Sequence, residues 1–449
     1  MSSVAAGPSA SSMRRVALTS LAGTSIEWFD FFLYGTAAAL VFPTVFFSET
    51  MPPFVALIAS FSTFAVGFIA RPIGGIVFGH FGDRVGRKSA LVTALVMMGV
   101  ATTLIGCLPT YVMIGATAPL LLIILRFVQG LAVGGQWGGA MLLVTENAPP
   151  DKRGFYGAFA QAGAPVGLIL ANLAFILVSE NLSQEDFMSW GWRIPFICSV
   201  ALIGLSLYVQ LRLEDTQAFR DLQAHAKSTA ADGEQVVVRK SPVLEVLAQY
   251  PKQITLAAGA FLAVQVTFYI LVAFVVAYGS NPIGLGLSRT TMLSAVLISS
   301  FVQIPVLFLA ASYSDRNGRR GIYMLGAVLM GIWGFFLFPL IDTGTFAYIA
   351  LAIIVGQIFI GMMYGPQAAL LTELFATHVR YSGASLGYQT GAILGGALAP
   401  IIATALLATY DSTIGISIYI AFACVLTLLS LYALSETHHT DLNATPVKS

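Results

Sequence analysis

The sequence predicts an all-α membrane protein of twelve transmembrane helices in two pseudo-symmetric six-helix bundles. Three observations predict it. Of 449 residues 57% are apolar and only 10% charged, with a mean hydropathy of +0.83, so lipid and not water is the solvent this chain suits. The decapeptides Gly79 to Lys88 (GHFGDRVGRK) and Ala311 to Arg320 (ASYSDRNGRR) share the frame D-R-x-G-R-[RK] 232 residues apart. Thr145-Glu146 followed by Arg153 recurs as Thr372-Glu373 followed by Arg380, an offset of 227. Two matching basic motifs at nearly one offset indicate an internal duplication.

A helix needs about 20 apolar residues to cross the hydrocarbon, and twelve runs reach that length. After a Ser/Ala/Gly-rich tail (1–15), the first run, 16–47, holds Glu27 and Asp30 in its first half, which makes it an uncleaved membrane helix and not a signal peptide. Runs 53–82 and 88–108 flank the first D-R-x-G-R motif, 115–145 ends on the Thr-Glu pair, 154–179 follows Arg153, and 190–211 opens on Trp190 and Trp192, which suit an aromatic belt. A polar linker, 212–252, separates this bundle (16–211) from a second (253–434) made of 253–279, 289–313, 320–341, 345–369, 381–409 and 413–434. The tail 435–449 is short and has no heptads. Gly67, Gly75 and Gly79, and Gly383, Gly387, Gly391 and Gly395, recur at helical spacing and read as faces of close packing.

Lys and Arg fall on alternate connections, which predicts a plasma (inner) membrane protein with both termini in the cytoplasm. Arg193 and Arg289, at outer span ends, are the exceptions. A net charge of +1 gives no reason to expect nucleic acid. Cys107, Cys198 and Cys424 lie in apolar runs without metal spacing and read as buried small hydrophobes, so no disulfide, metal or cofactor is implied. A monomer is expected. Duplication on this scale is how many secondary transporters are built, with the substrate site near mid-membrane where the repeats meet.

The loop pattern G-x-x-x-D-R-x-G-R-[RK], with Ala311 replacing the first Gly in the second copy, resembles the signature of the major facilitator superfamily. T-S-I-E-W-F-D-F-F-L-Y-G (24–35), A-R-P-I-G-G (70–75), R-F-V-Q-G (126–130), S-W-G-W-R-I-P-F (189–196) and R-Y-S-G-A (380–384) resemble its metabolite:proton symporters. That resemblance implies alternating access and carriage of a small organic acid, or of a zwitterion such as proline or betaine, commonly with protons. One departure is Gln136 in G-G-Q-W-G-G (134–139), where many relatives carry Glu; an amide cannot exchange a proton near neutral pH, so no coupling role transfers to it.

Charges deep in a membrane cost from about 3 to more than 10 kcal/mol and persist when paired or functional. Glu27 and Asp30 share one face of the first span, with Arg71 on the second and Arg126 on the fourth. One reading is a carboxylate that exchanges between a proton and an arginine; the other is a permanent ion pair that fixes packing. By resemblance to sugar porters, Arg126 is the preferred partner of Asp30. Asp30, Glu27 and Arg126 are therefore the proton-coupling candidates. Arg71, Arg126, Gln129, Gln161, Gln265, Tyr269, Gln357, Tyr364, Tyr388 and Gln389 are the substrate-binding candidates, neutral in the second half as suits a hydroxylated acid. Asp83, Arg84, Arg87, Glu146 and Arg153, mirrored by Asp315, Arg316, Arg319, Glu373 and Arg380, are expected to form a cytoplasmic gate.

The expected function is proton-coupled uptake of a small organic acid. A proton-driven exporter is the rival, but Gly163 to Gly167 (G-A-P-V-G) matches the exporter pattern G-P-x-x-G-G only in part. A substrate sensor would be marked by a large appended cytoplasmic domain, and an enzyme by a nucleophile, metal or cofactor motif; neither mark is seen.

Overall fold

The computed structural model describes residues 10–85, 87–134, 141, 142, 144–146, 148–213, 247–282, 284–375 and 380–438. Gln136, most of the linker and both chain ends lie outside these residues, as do the side chains of 79–91, among them His80, Asp83, Arg84 and Arg87. Every regular element among the described residues is helical. The long ones are α1 (Ala10–Leu40), α2 (Pro53–Val85), α3 (Arg87–Cys107), α4 (Thr117–Gly134), α5 (Arg153–Asn181) and α6 (Arg193–Leu213). They are followed by α7 (Pro251–Tyr269, continued to Ser280), α8 (Arg289–Asn317), α9 (Arg319–Ile341), α10 (Phe346–Tyr364, then Gln367–Leu374), α11 (Arg380–Gly391, continued to Tyr410) and α12 (Ile414–Ala433).

Nine of these are long and apolar enough to cross a membrane, and ten if α6 is joined to the bent segment before it. The remaining two have specific reasons. Glu27 and Asp30 interrupt the apolar run of α1, and the described apolar part of α3 is only Val92–Cys107, although at about 1.5 Å per residue its full 21 residues match the hydrocarbon thickness.

Helix contacts repeat with a shift of six. The pairs α1/α5, α2/α4 and α3/α6 reappear as α7/α11, α8/α10 and α9/α12. Between the two sets, α2 packs on α11 and α5 on α8, again one relation seen twice, while α1 meets α7. The interior is largely apolar, but it also holds Asp30, Arg126, Gln303 and Gln357, while Ile76, Leu309, Phe336 and Leu429 face outward as a lipid surround allows. Cys424 is buried as expected, but Cys107 and Cys198 are exposed on the outer surface of the bundle; in a membrane that surface is apolar too, so burial of apolar residues carries no driving force there.

Small residues set the closest approaches. A Cβ on Gly67, Gly74, Gly130 or Gly134 would collide across the α2/α4 contact, and one on Gly387, Gly391 or Gly395 would collide with α7. The D-R-x-G-R motif of the second half is not a loop. Asp315 and Arg316 are in the last turn of α8 and Arg319 opens α9, with Gly318 (φ +94°) as the whole connection. Two π-helical segments, Ile270–Phe274 in α7 and Ala392–Ala397 in α11, widen the helices where they pack together, a feature common beside functional sites.

Candidate functional site

Four charged side chains meet in the interior of α1, α2 and α4: Glu27 (8% exposed), Asp30 (0%), Arg71 (2%) and Arg126 (1%). None of the ion pairs among the described residues joins them. Asp30 and Arg126, expected as direct partners, are instead linked through two neutral groups. Arg126 Nη1 donates to Gln129 Oε1 (2.6 Å), Gln129 Nε2 donates to Thr102 Oγ1 (2.8 Å), and Thr102 donates to Asp30 Oδ2 (3.0 Å). Asp30 Oδ1 has no hydrogen-bond partner. Each guanidinium lies over rings. Arg126 Cζ is 4.2 Å from the Tyr34 centroid, 4.6 Å from Phe31 and 4.9 Å from Phe64. Arg71 Cζ is 4.3 Å from Phe31, 4.9 Å from Phe68 and 5.6 Å from Trp28. Glycine at position 67 makes room for this, because a Cβ there would fall 2.5 Å from Arg126 Nε.

The second half supplies neutral polar groups. The Tyr388, Tyr269 and Tyr364 hydroxyls lie within electrostatic reach of Arg71. Arg71 is thus where the halves meet. Gln357 and Gln303 are fully buried with neither amide atom hydrogen-bonded, and Gln389 Oε1 and the Tyr269 hydroxyl are likewise unpartnered. Gln161 is spoken for differently: its Nε2 donates to Tyr364 O (3.4 Å) and Gln367 Oε1 (3.5 Å), and Gln367 in turn donates to Tyr323 (2.8 Å). The space between Phe31, Gly67, Arg71, Met98, Arg126, Gln129, Gly130 and Val133 is too narrow to admit water.

Toward the arginine-rich end the halves are tied together. Arg380 Nη1 bonds Glu146 Oε1 at 3.0 Å, Arg153 stands 3.9 Å from Glu373, and the hydroxyls of Thr145 and Thr372 are 2.9 Å apart. Asp315 accepts from two backbone N–H groups at the start of α5, Gly154 (2.7 Å) and Phe155 (2.8 Å). Fully buried Arg319 holds the two acids in place, bonding Asp315 and, through Nε (3.2 Å) and Nη2 (3.0 Å), Glu373. Of the ten residues expected here, Arg316 is exposed and joins none of these contacts, because its place in the last turn of α8 turns it away. The side chains of Asp83, Arg84 and Arg87 lie outside the described residues.

Sequence reasoning missed the strap that covers this latch. After α12 the Glu436 carboxylate accepts from the backbone N–H of Arg319 (2.9 Å) and Arg320 (3.1 Å), Thr437 donates to Glu373 (2.8 Å), and His438 Nε2 lies 2.8 Å from Asp315 O. Partial burial alone would raise the Glu436 carboxyl, but backbone N–H donors from Arg319, Arg320, His438 and Thr437 hold it below its ordinary value. An acid three residues past a helix end, opposite a glycine turn, was the only available signal.

At the other end α5 and α8 also touch. Thr290 donates to Glu180 (2.7 Å) and Arg289 lies 3.8 Å over the Phe187 ring. Arg193 donates to the carbonyls of Gly106 (2.9 Å) and Leu108 (2.6 Å), so this exceptional cation caps the end of α3. Trp190 is half exposed as a belt residue would be, but Trp192 is fully buried among Phe42, Phe46 and Phe196.

Residues 21–400 and 285–449 match the family model described as Major Facilitator Superfamily. The inner membrane metabolite transport protein YhjE of Escherichia coli (strain K12) is 43% identical over 96% of this chain and 96% of its own. The shikimate transporter of the same organism is 37% identical, with 96% of each chain covered. Among solved structures, a D-xylose-proton symporter superposes with a TM-score of 0.71 at 18% identity, covering 95% of this chain and 98% of that one.

Proposed function

Because the chain belongs to the major facilitator superfamily and is a multi-pass membrane transporter of metabolites, we propose that it takes up a small organic acid together with protons by alternating access. In this reading Arg71 anchors the substrate carboxylate, Tyr388, Tyr269, Tyr364, Gln265, Gln357 and Gln389 meet its hydroxyl groups, and Asp30 carries the proton. The arginine-rich end faces the cytoplasm, and its latch opens for release. The relative that carries shikimate supports an organic acid as the cargo class.

One observation carries the proposal: two buried arginines and two buried carboxylates share the centre without an ion pair, and their formal charges cancel. Moving any net charge into so dry a site is costly. A monoanion is therefore best accepted when one carboxylate is protonated, and a dianion when both are. Glu27, beside Arg71 as its charged neighbour, is the second acid available.

The test is uptake of shikimate into proteoliposomes under separately imposed pH and voltage gradients. A monoanion with one proton is driven by the pH gradient alone, at about 1.4 kcal/mol per unit, with no response to voltage. Asp30→Asn should lose that accumulation while exchanging internal for external shikimate, since the amide imitates the protonated acid. Accumulation by Asp30→Asn as steep as wild type would remove Asp30 from the proton path.

A further inference from the structure

Among the described residues Phe31 is the one ring over which both central guanidinium groups stand, Arg71 at 4.3 Å and Arg126 at 4.6 Å. It is next to Asp30 and one helical turn from Glu27, so the ring that holds the two cations belongs to the helix that carries both acids. It is also fixed in place, 5.0 Å from Phe64 and 5.2 Å from Phe68, and 6.2 Å from Tyr269 of the other half. Like charges brought this close in a buried site repel, and opposite charges this close normally collapse into pairs. Neither arginine has collapsed onto an acid.

We propose that Phe31 is a positioning residue for ion coupling: its π face competes with Glu27 and Asp30 for the two guanidinium groups and keeps both ion pairs unmade. A ring attracts a cation without neutralising it, which leaves Asp30 free to take a proton and Arg71 free to take an organic carboxylate. A closed Asp30–Arg126 pair would instead favour the ionised acid at every stage of the cycle. Resting on the roles given to Asp30 and Arg71 above, this makes the aromatic packing of α1 part of the transport chemistry.

The experiment is thermal stabilisation of purified wild type, Phe31→Leu and Phe31→Tyr by shikimate, 2-oxoglutarate, benzoate and glycine betaine, titrated at about pH 6 and about pH 8, where the carboxylates of all four probes stay ionised. Wild type should bind a carboxylate more tightly at the lower pH, by up to tenfold per unit for one linked proton. Phe31→Leu should bind it about tenfold more weakly at the lower pH and lose the pH dependence, while Phe31→Tyr keeps both. If Phe31→Leu does not fold, Phe31→Met, flexible and without a π face, takes its place. A wild-type pH slope in the Leu or Met protein overturns the role of Phe31 while leaving the function standing. Absence of any pH-dependent carboxylate binding in wild type overturns the function, and this role with it.

Discussion

Asp315→Asn tests the latch at its best-defined contact. The carboxylate accepts two short bonds, 2.7 Å from Gly154 N–H and 2.8 Å from Phe155 N–H, at a helix start whose unpaired N–H groups favour negative charge. An asparagine keeps one acceptor and turns an amide N–H toward the other donor. Hydrogen bonds to charged groups are worth about 1.5–3 kcal/mol each, and about 1.4 kcal/mol is a factor of ten, so the open population at this end should rise about ten- to a hundredfold. The assay is labelling of a single cysteine at Thr372, fully buried in the seam, by a hydrophilic maleimide, after Cys107, Cys198 and Cys424 are replaced by serine. Labelling follows the open fraction when opening and closing outpace the chemistry. An Asp315→Asn protein that labels at the wild-type rate would show that this contact contributes nothing to closure.

Further substitutions probe the strap and the link between Asp30 and Gln129. Gly318→Ala should open the same end, because the connection needs φ +94° and an added Cβ would lie 2.8 Å from Glu436 Oε2; maleimide labelling at Thr372 should quicken at least tenfold, and Glu436→Gln should act in the same direction. Since the folded Glu436 carboxyl is held below its ordinary value of 4.5, its contribution is complete above that value and disappears as pH falls through the lower, folded one; wild-type labelling, expressed relative to that of the same cysteine in the unfolded chain at each pH to remove the change in thiolate fraction, should therefore stay flat through neutral pH and rise only in acid. Thr102→Val removes the hydroxyl between Asp30 and Gln129, leaving a buried donor and a buried acceptor unpaired at about 1–3 kcal/mol each, and should lower the melting temperature and flatten the pH dependence of shikimate uptake, whereas Thr102→Ser restores both.

The helices and the duplication were legible because lipid imposes length and apolarity on every span, and because a motif repeated at one offset has few other causes. Glu27, Asp30, Arg71 and Arg126 stood out for the same reason, as charges where charge is costly. Their geometry did not. Thr102, beside Thr103 in an apolar run, carries no pattern, and the preference of both arginines for rings over acids depends on how Phe31, Phe64 and Phe68 meet in space. Asp315 was expected in the cytoplasmic gate and bonds Arg319 there, but its partners across the seam are backbone N–H groups, which no residue identity announces. The exposed Cys107 and Cys198 show a further limit: hydropathy says that a segment is in lipid, not which side of it faces the bundle.

Positions 145, 146 and 153 are the copies of 372, 373 and 380, and they bind one another reciprocally. Thr145 meets its own copy, Glu146 meets the copy of Arg153, and Arg153 faces the copy of Glu146. Reciprocity of this kind is what a two-fold axis imposes on a dimer of identical chains, with the axis here passing between the two threonines. A six-helix polypeptide carrying the Thr, the Glu and the Arg would hold the groups for these three contacts against a second copy of itself, each change in it appearing twice. Among the described residues the two bridges differ in length, 3.0 Å for Glu146 and 3.9 Å for Glu373, and Glu373 is also bonded by Arg319.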